Sequence, residues 1–205
     1  MEPFRTCRTL LGMELDPEAT DWAAAVTGDG EAFGRVFDRH KDRVTRHAHR
    51  FVENRDDADD VVAVAFFEAW RRRSAVRLVD GSTLPWLLVT AGHAAANLRR
   101  SRRRYRALLA KLPAASTGQD PAAVVEATSV TLPLHKLGEK HRQVIALVVI
   151  EGLTEQETAA VLGVPTGTVK SRLSRARSRL AALVRSHHPD LTEGRARQAE
   201  RGTSA

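Results

Sequence analysis

The chain of 205 residues is long enough for one domain or two small ones, and its formal net charge of +7 with a pI near 10.4 gives it a field that draws phosphate. Its single cysteine, Cys7, excludes an intramolecular disulfide and a cysteine zinc cluster, and fits a reducing cytoplasm. No run approaches transmembrane length and the first residues lack a signal-peptide pattern, so the expectation is a soluble cytoplasmic protein with no membrane insertion.

Residues 1–28 contain Pro3 and Pro17 and little periodicity, and read as an irregular arm with one short helix around Trp22. From Glu31, the residues Phe33, Phe37, Val44, Ala48 and Phe51 recur at helical steps and predict an amphipathic helix to about Glu53. A second helix starts near Asp56, with Val61, Val62, Ala65, Phe66, Ala69 and Trp70 inward. Asp56, Asp57, Asp59 and Asp60 crowd its first turns, where carboxylates complement the helix dipole. Asp80-Gly81-Ser82 makes 76–84 a loop, and Pro85 suits the first position of a third helix carrying Trp86, Leu87, Val89 and Thr90. That helix ends in Arg99, Arg100, Arg102, Arg103, Arg104 and Arg106. So many like charges repel one another unless an anion compensates, which makes the run a candidate contact for a nucleic-acid backbone.

Residues 111–121, with Pro113, Ser116, Gly118 and Pro121, read as a linker permitting independent motion. Two further helices are expected over 122–137 and 139–150. The stretch from Gly152 to Arg179 then spells a helix-turn-helix: Thr154 and Glu157 form a capping box, Gly163 supplies a left-handed end, and Pro165-Thr166 restarts the chain. On its second helix Val169, Leu173, Ala176, Leu180 and Val184 form one apolar stripe. The opposite arc carries Ser171, Ser174, Arg175 and Ser178, flanked by Lys170 and Arg179, a surface suited to base edges in a major groove. Arg172 and Arg177 lie nearer the stripe, where a phosphate contact and an intradomain ion pair are both open.

The expected fold is all-α: an arm 1–28, a helical domain 29–110, a flexible linker 111–121, a smaller helical domain 122–185 containing the helix-turn-helix, and a disordered tail 186–205. The histidines lack metal-ligand spacing, and neither a Ser, His and Asp arrangement nor a phosphate-cradling glycine loop occurs. The reading is therefore a binding protein, with no enzyme activity, metal or cofactor.

Three stretches taken together resemble the extracytoplasmic-function (ECF, group 4) sigma factors of bacterial RNA polymerase over about residues 31–185. They are Asp57-Ala-Asp-Asp-Val-Val-Ala-Val-Ala-Phe-Phe-Glu-Ala-Trp70 with the following Leu84-Pro-Trp-Leu-Leu88, Glu139-Lys-His-Arg-Gln-Val144, and Gly167-Thr-Val-Lys-Ser-Arg-Leu-Ser-Arg-Ala-Arg177. The resemblance implies a sigma domain 2 over 29–110 and a sigma domain 4 over 122–185. It implies that Asp57, Asp60, Val61, Val64 and Phe67 dock on the clamp coiled coil of core RNA polymerase. It implies that the 76–84 loop captures an unpaired minus-ten base, with Arg77, Asp80, Asn97, Arg99, Arg100, Arg102 and Arg103 on the promoter DNA. Thr166, Lys170, Ser171, Ser174, Arg175, Ser178 and Arg179 would read the minus-thirty-five element while the same domain touches the polymerase flap. Members are often held inactive by an anti-sigma factor, which the resemblance adds as a partner. The chain departs from the family pattern at Ala63 and Val64, where a Gln and an acidic residue are common, and at Gly92-His93, where an Arg-Asn pair is common. The alternative is a free-standing operator-binding regulator whose N-terminal helices dimerise or sense a signal.

Overall fold

A computed structural model describes residues 16–52, 54–110 and 134–187. Four helices make the N-terminal unit: α1 (Pro17–Val26), α2 (Gly30–Ala48), α3 (Arg55–Arg71) and α4 (Leu84–Leu109). The starts of the first three are fixed by side chains the sequence places there. Asp16 accepts the Glu18 N–H, Asp29 accepts those of Glu31 and Ala32, and Asn54 accepts that of Asp57. Helices α2, α3 and α4 bury Val36, Val44, Ala58, Val61, Ala65, Leu87 and Leu88 against one another, and each fully buried leucine contributes roughly 1.5–3 kcal/mol. Phe33, Phe37, Phe66 and Trp70 close one side, with ring centroids 4.7 Å apart for Phe37 and Phe66 and 5.1 Å for Phe33 and Trp70.

The short helix expected around Trp22 spans Pro17–Val26 and is a core element. It is capped, and its Trp22 is 4% exposed and packs against Phe33 in the same core. Pro17 marks the start of that helix, because a proline in the first turn loses no hydrogen bond there. Helix α2 stops at Ala48, and Phe51 stays in the core from the turn that follows.

The C-terminal unit contains a single 3-10 turn at Leu134–Lys136, α5 (Glu139–Ile145), a π-helical turn at Ala146–Ile150, α6 (Glu155–Leu162) and α7 (Thr166–His187). A helix expected over 122–137 lies mostly outside the described residues. Its last part is one short turn, because Gly138 takes an extended backbone and caps α5. The 111–121 linker and most of the 186–205 tail also lie outside the described residues, while α7 continues two residues past the expected boundary. The unit's own core holds Val144, Ile145, Ala159, Val169, Leu173 and Ala176. Ala146, Leu147 and Leu153 turn away from it and pack in the N-terminal core, so the two units share an apolar interface. No described helix is long and apolar enough to cross a membrane.

Candidate nucleic-acid interface

The helix-turn-helix is built as its residues dictate. Thr154 Oγ1 accepts the Glu157 N–H at 3.1 Å, Glu157 Oε2 accepts the Thr154 N–H at 2.5 Å, and Gly163 sits at φ 64°. Val169, Leu173 and Ala176 are buried, which turns Lys170, Ser171, Ser174, Arg175, Ser178 and Arg179 outward and leaves Thr166 half-buried at the start of α7. Ser171 and Ser178 each donate to a carbonyl of their own helix, at 3.0 and 3.1 Å, so their oxygens face solvent as acceptors. Lys170 reaches Glu155 at 3.9 Å. Burial and then the charges of Arg179, Arg175 and Arg172 push the His141 imidazole below its usual value. Those arginines therefore all lie within electrostatic reach of α5, and of the three Arg175 and Arg179 are exposed to solvent.

The 76–84 loop is a tight hairpin. Val79 and Ser82 exchange two backbone hydrogen bonds of 3.0 Å around Asp80 (φ 50°) and Gly81 (φ 77°). Two successive left-handed residues are the signature of a type I′ turn, for which Asp-Gly is a preferred pair. Arg77 and Asp80 are exposed beside it. The neighbouring Glu157 carboxylate of α6 pushes the Asp80 carboxyl above its usual value.

The arginines of α4 divide into different roles. Arg102 pairs with Asp57, Arg100 with Asn97 and, at 3.1 Å, with Glu139 of the C-terminal unit. Arg99 is half-buried and its guanidinium is pushed down by burial, with Glu139 acting in the opposite direction. Arg103, Arg104 and Arg106 are exposed. The run is thus partly neutralised from within, and its outer end carries the uncompensated charge.

On α3 the structure separates two groups of residues expected to share a docking surface. Asp57 is 4% exposed and Val61 2%, so neither presents a contact face. Val61 packs in the core, and the Asp57 carboxylate is occupied by Arg102. Asp60, Val64 and Phe67 follow at steps of four and three on the outer face, with Val64 46% and Phe67 62% exposed. Val64 also lines a groove between α3 and α4 with Trp86, His93 and Asn97.

Two buried carboxylates escaped the sequence reading. Glu151, just after the π-helical turn, accepts from His47 Nδ1 at 2.9 Å, from Arg50 at 2.8 Å and from Arg43 at 3.0 Å, while its carbonyl accepts from Arg43 at 2.7 Å. Burial pushes its carboxyl up, but the hydrogen bonds of His47 and Arg43 and the charges of His47 and Arg50 outweigh this and hold it at about 2. Glu18 of α1 is likewise held at about 2: burial opposes ionisation, and His40 and Thr83 overcome it. Both sites join residues far apart in the chain, and no local pattern announces either.

This is the architecture of a two-part helical DNA reader, with a helix-turn-helix unit packed on a helical unit that carries a hairpin and a basic helix. Residues 36–105 match the model of Sigma-70 region 2, and residues 134–180 match that of Sigma-70 region 4. The ECF RNA polymerase sigma factor SigM of Mycobacterium tuberculosis is 36% identical over 163 residues, spanning 79% of this chain and 82% of the relative. RNA polymerase sigma factor CnrH of Cupriavidus metallidurans is 31% identical over 83% of this chain and 97% of its own length. The solved structure of CnrH in complex with the cytosolic domain of CnrY superposes with a TM-score of 0.61 at 30% identity, covering 83% of this chain and 99% of that one. The chain belongs to the ECF RNA polymerase sigma factors, and its function is to direct transcription initiation. A free-standing operator-binding regulator is set aside, since region 2 accompanies region 4 in one chain.

Proposed function

We propose that this chain is a group 4 member working in the cytoplasm as a non-catalytic specificity subunit. It docks on core RNA polymerase through Asp60, Val64 and Phe67, reads the minus-thirty-five element with the outer face of α7, and engages the minus-ten element with the 79–82 hairpin and the outer arginines of α4. The observation that carries this reading is the exposure of Phe67 beside Val64 and Asp60. A large aromatic left 62% exposed on a well-packed helix, with an aliphatic and an acid on the same face, suits a protein partner carrying apolar and basic groups. Arg77 and Arg103 suit the phosphates of the opening strands, and Asp80 at the hairpin tip suits the amino edge of an extruded base. Core polymerase, promoter DNA and an anti-sigma factor are the partners this assigns. The last is supported by CnrH, which is 30% identical and was solved with the cytosolic domain of CnrY bound to it.

Reconstitution with core RNA polymerase tests the reading. Phe67→Ala should reduce recovery of core enzyme in a pull-down while the far-ultraviolet helix signal stays that of wild type. Permanganate probing of unpaired thymines should show wild-type holoenzyme opening a promoter, and a variant with a glycine-serine segment in place of 77–82 binding core enzyme without opening it. Equal opening by both would reduce the hairpin to a connector.

A further inference from the structure

We propose that α1 is the positioning element of the 79–82 hairpin, acting through Glu18, so that this N-terminal helix sets how sharply the minus-ten element is read. The inference rests on the assignment of that hairpin to the minus-ten element.

Four donors converge on one oxygen of Glu18. Its Oε1 accepts from Thr83 N and Thr83 Oγ1, both at 2.6 Å, from His40 Nε2 at 2.7 Å, and from Ser82 Oγ at 3.3 Å. Glu18 and His40 are each 6% exposed and Thr83 1%. Thr83 is the residue capping α4, yet its hydroxyl makes no bond to its own helix and turns to Glu18 instead. A carboxylate from another helix thus fixes the residue before α4 through both its N–H and its hydroxyl, at that helix's positive end. Ser82, one of the two bridge residues of the hairpin, lies in the same grip and passes it on by accepting the Leu84 N–H at 3.1 Å.

The hairpin tip is held from the same side. A Cβ at Gly81 would stand 2.8 Å from Oδ2 of Asp16, the capping residue of α1, so the tip lies against the first turn of that helix. The tip of the hairpin and its C-terminal end therefore rest on residues two apart at the start of α1. Ion-pairing a buried carboxylate requires desolvating it, and here the four donors offset that by fixing two loop residues and a helix start at once. An apolar residue at position 18 would fill the space without orienting the loop.

The other anchors of α1 supply a control. Asp21 binds Arg35 at 2.8 Å and Arg39 at 3.1 Å, both on α2, and none of the three is among the residues holding the hairpin. Asp21→Ala loosens α1 from α2 while leaving Glu18 in place. Glu18→Gln keeps the side-chain shape with a weaker acceptor, and Thr83→Val removes the hydroxyl donor alone.

The experiment is transcription by reconstituted holoenzyme from a template library randomised through the minus-ten element, with transcripts counted by sequencing. Wild type is expected to select bases at the minus-ten positions. Glu18→Gln and Thr83→Val should each relax that preference by about tenfold at one or two positions, a base-contact-sized effect. Preference within a randomised minus-thirty-five element and core-enzyme recovery should be unchanged, and Asp21→Ala should select as wild type does. Undiminished selection by both Glu18→Gln and Thr83→Val overturns the positioning role while leaving the hairpin assignment standing. Equal relaxation by Asp21→Ala overturns it too, since the effect would then follow helix docking in general. A wild-type holoenzyme that transcribes without selecting any minus-ten base overturns the hairpin assignment and this inference with it.

Discussion

Nδ1 of His47 lies 2.9 Å from Oε1 of Glu151, across 104 residues of chain and between the two helical units. Arg43 and Arg50, one turn to either side of His47 on α2 and the turn after it, complete the same grip. Glu151→Ala would leave three donors without their acceptor. With Arg43 and Arg50 partly exposed, so that water can replace the lost partner there, the expected loss is roughly 1–3 kcal/mol of interface stability. Small-angle scattering on the full chain should show a larger radius of gyration for Glu151→Ala than for wild type, with helix content retained. Identical scattering profiles would mean that the shared apolar surface of Ala146, Leu147 and Leu153 suffices to hold the units together.

Acid should act on the same residue and on Glu18. Both carboxyls have folded values of about 2 against an ordinary 4.5, so their stabilisation is fully present above pH 4.5 and is lost as the pH falls through about 2. The size implied is on the order of 3 kcal/mol for each. Urea unfolding between pH 6 and pH 2, a window of about four pH units chosen to span both values, should show wild type losing more stability than Glu151→Gln or Glu18→Gln. Parallel curves for the three proteins would show that neither carboxylate gains from folding.

A gain of stability is expected at Gly92, buried on α4. A Cβ there would meet Nε2 of Gln143 at 3.6 Å, an ordinary contact, and the backbone is helical. Gly92→Ala should therefore stabilise by about 0.5–1 kcal/mol through the lower entropy of the unfolded chain, and raise the melting temperature by about 2–4 °C. A lower melting temperature would indicate that α4 and α5 require a closer approach than the structure has.

Arg175→Ala should weaken binding to a selected minus-thirty-five duplex by about 1–3 kcal/mol and flatten the preference at one base pair. The residue is exposed on α7, so folding and core-enzyme recovery should be unaffected. Fluorescence anisotropy with cognate and substituted duplexes measures it. A uniform loss on every duplex, with a salt slope reduced by about 1, would make Arg175 a phosphate contact instead.

What the sequence reveals here is whatever is local. The helix-turn-helix was readable because Thr154, Glu157 and Gly163 each act within one turn of their own position and the stripe from Val169 to Leu180 needs only helical spacing, although at its end Leu183 packs on the core in place of the expected Val184. Asp57 and Val61 were harder. Their acidic and apolar types suit either side of α3, and the choice is made by Arg102 and the core, which periodicity does not contain. Helix α1 escaped as a core element because ten residues offer two buried apolar positions, Trp22 and Ala25, too few to establish a period. Glu18 and Glu151 were invisible, since their partners stand 22 to 65 and more than 100 residues away and a lone glutamate carries no mark of burial.

The Glu151 grip also bears on how strongly any partner binds. A molecule that engages α7 and the hairpin at a spacing wider than the packed units allow selects from the small fraction of chains already apart, so its apparent dissociation constant is the intrinsic one divided by that fraction. By the same arithmetic a molecule that fits the packed arrangement loses almost nothing, because nearly every chain already holds that arrangement. If the interface is worth about 3 kcal/mol, the two kinds of partner are separated by roughly a hundredfold in favour before either has made a contact of its own.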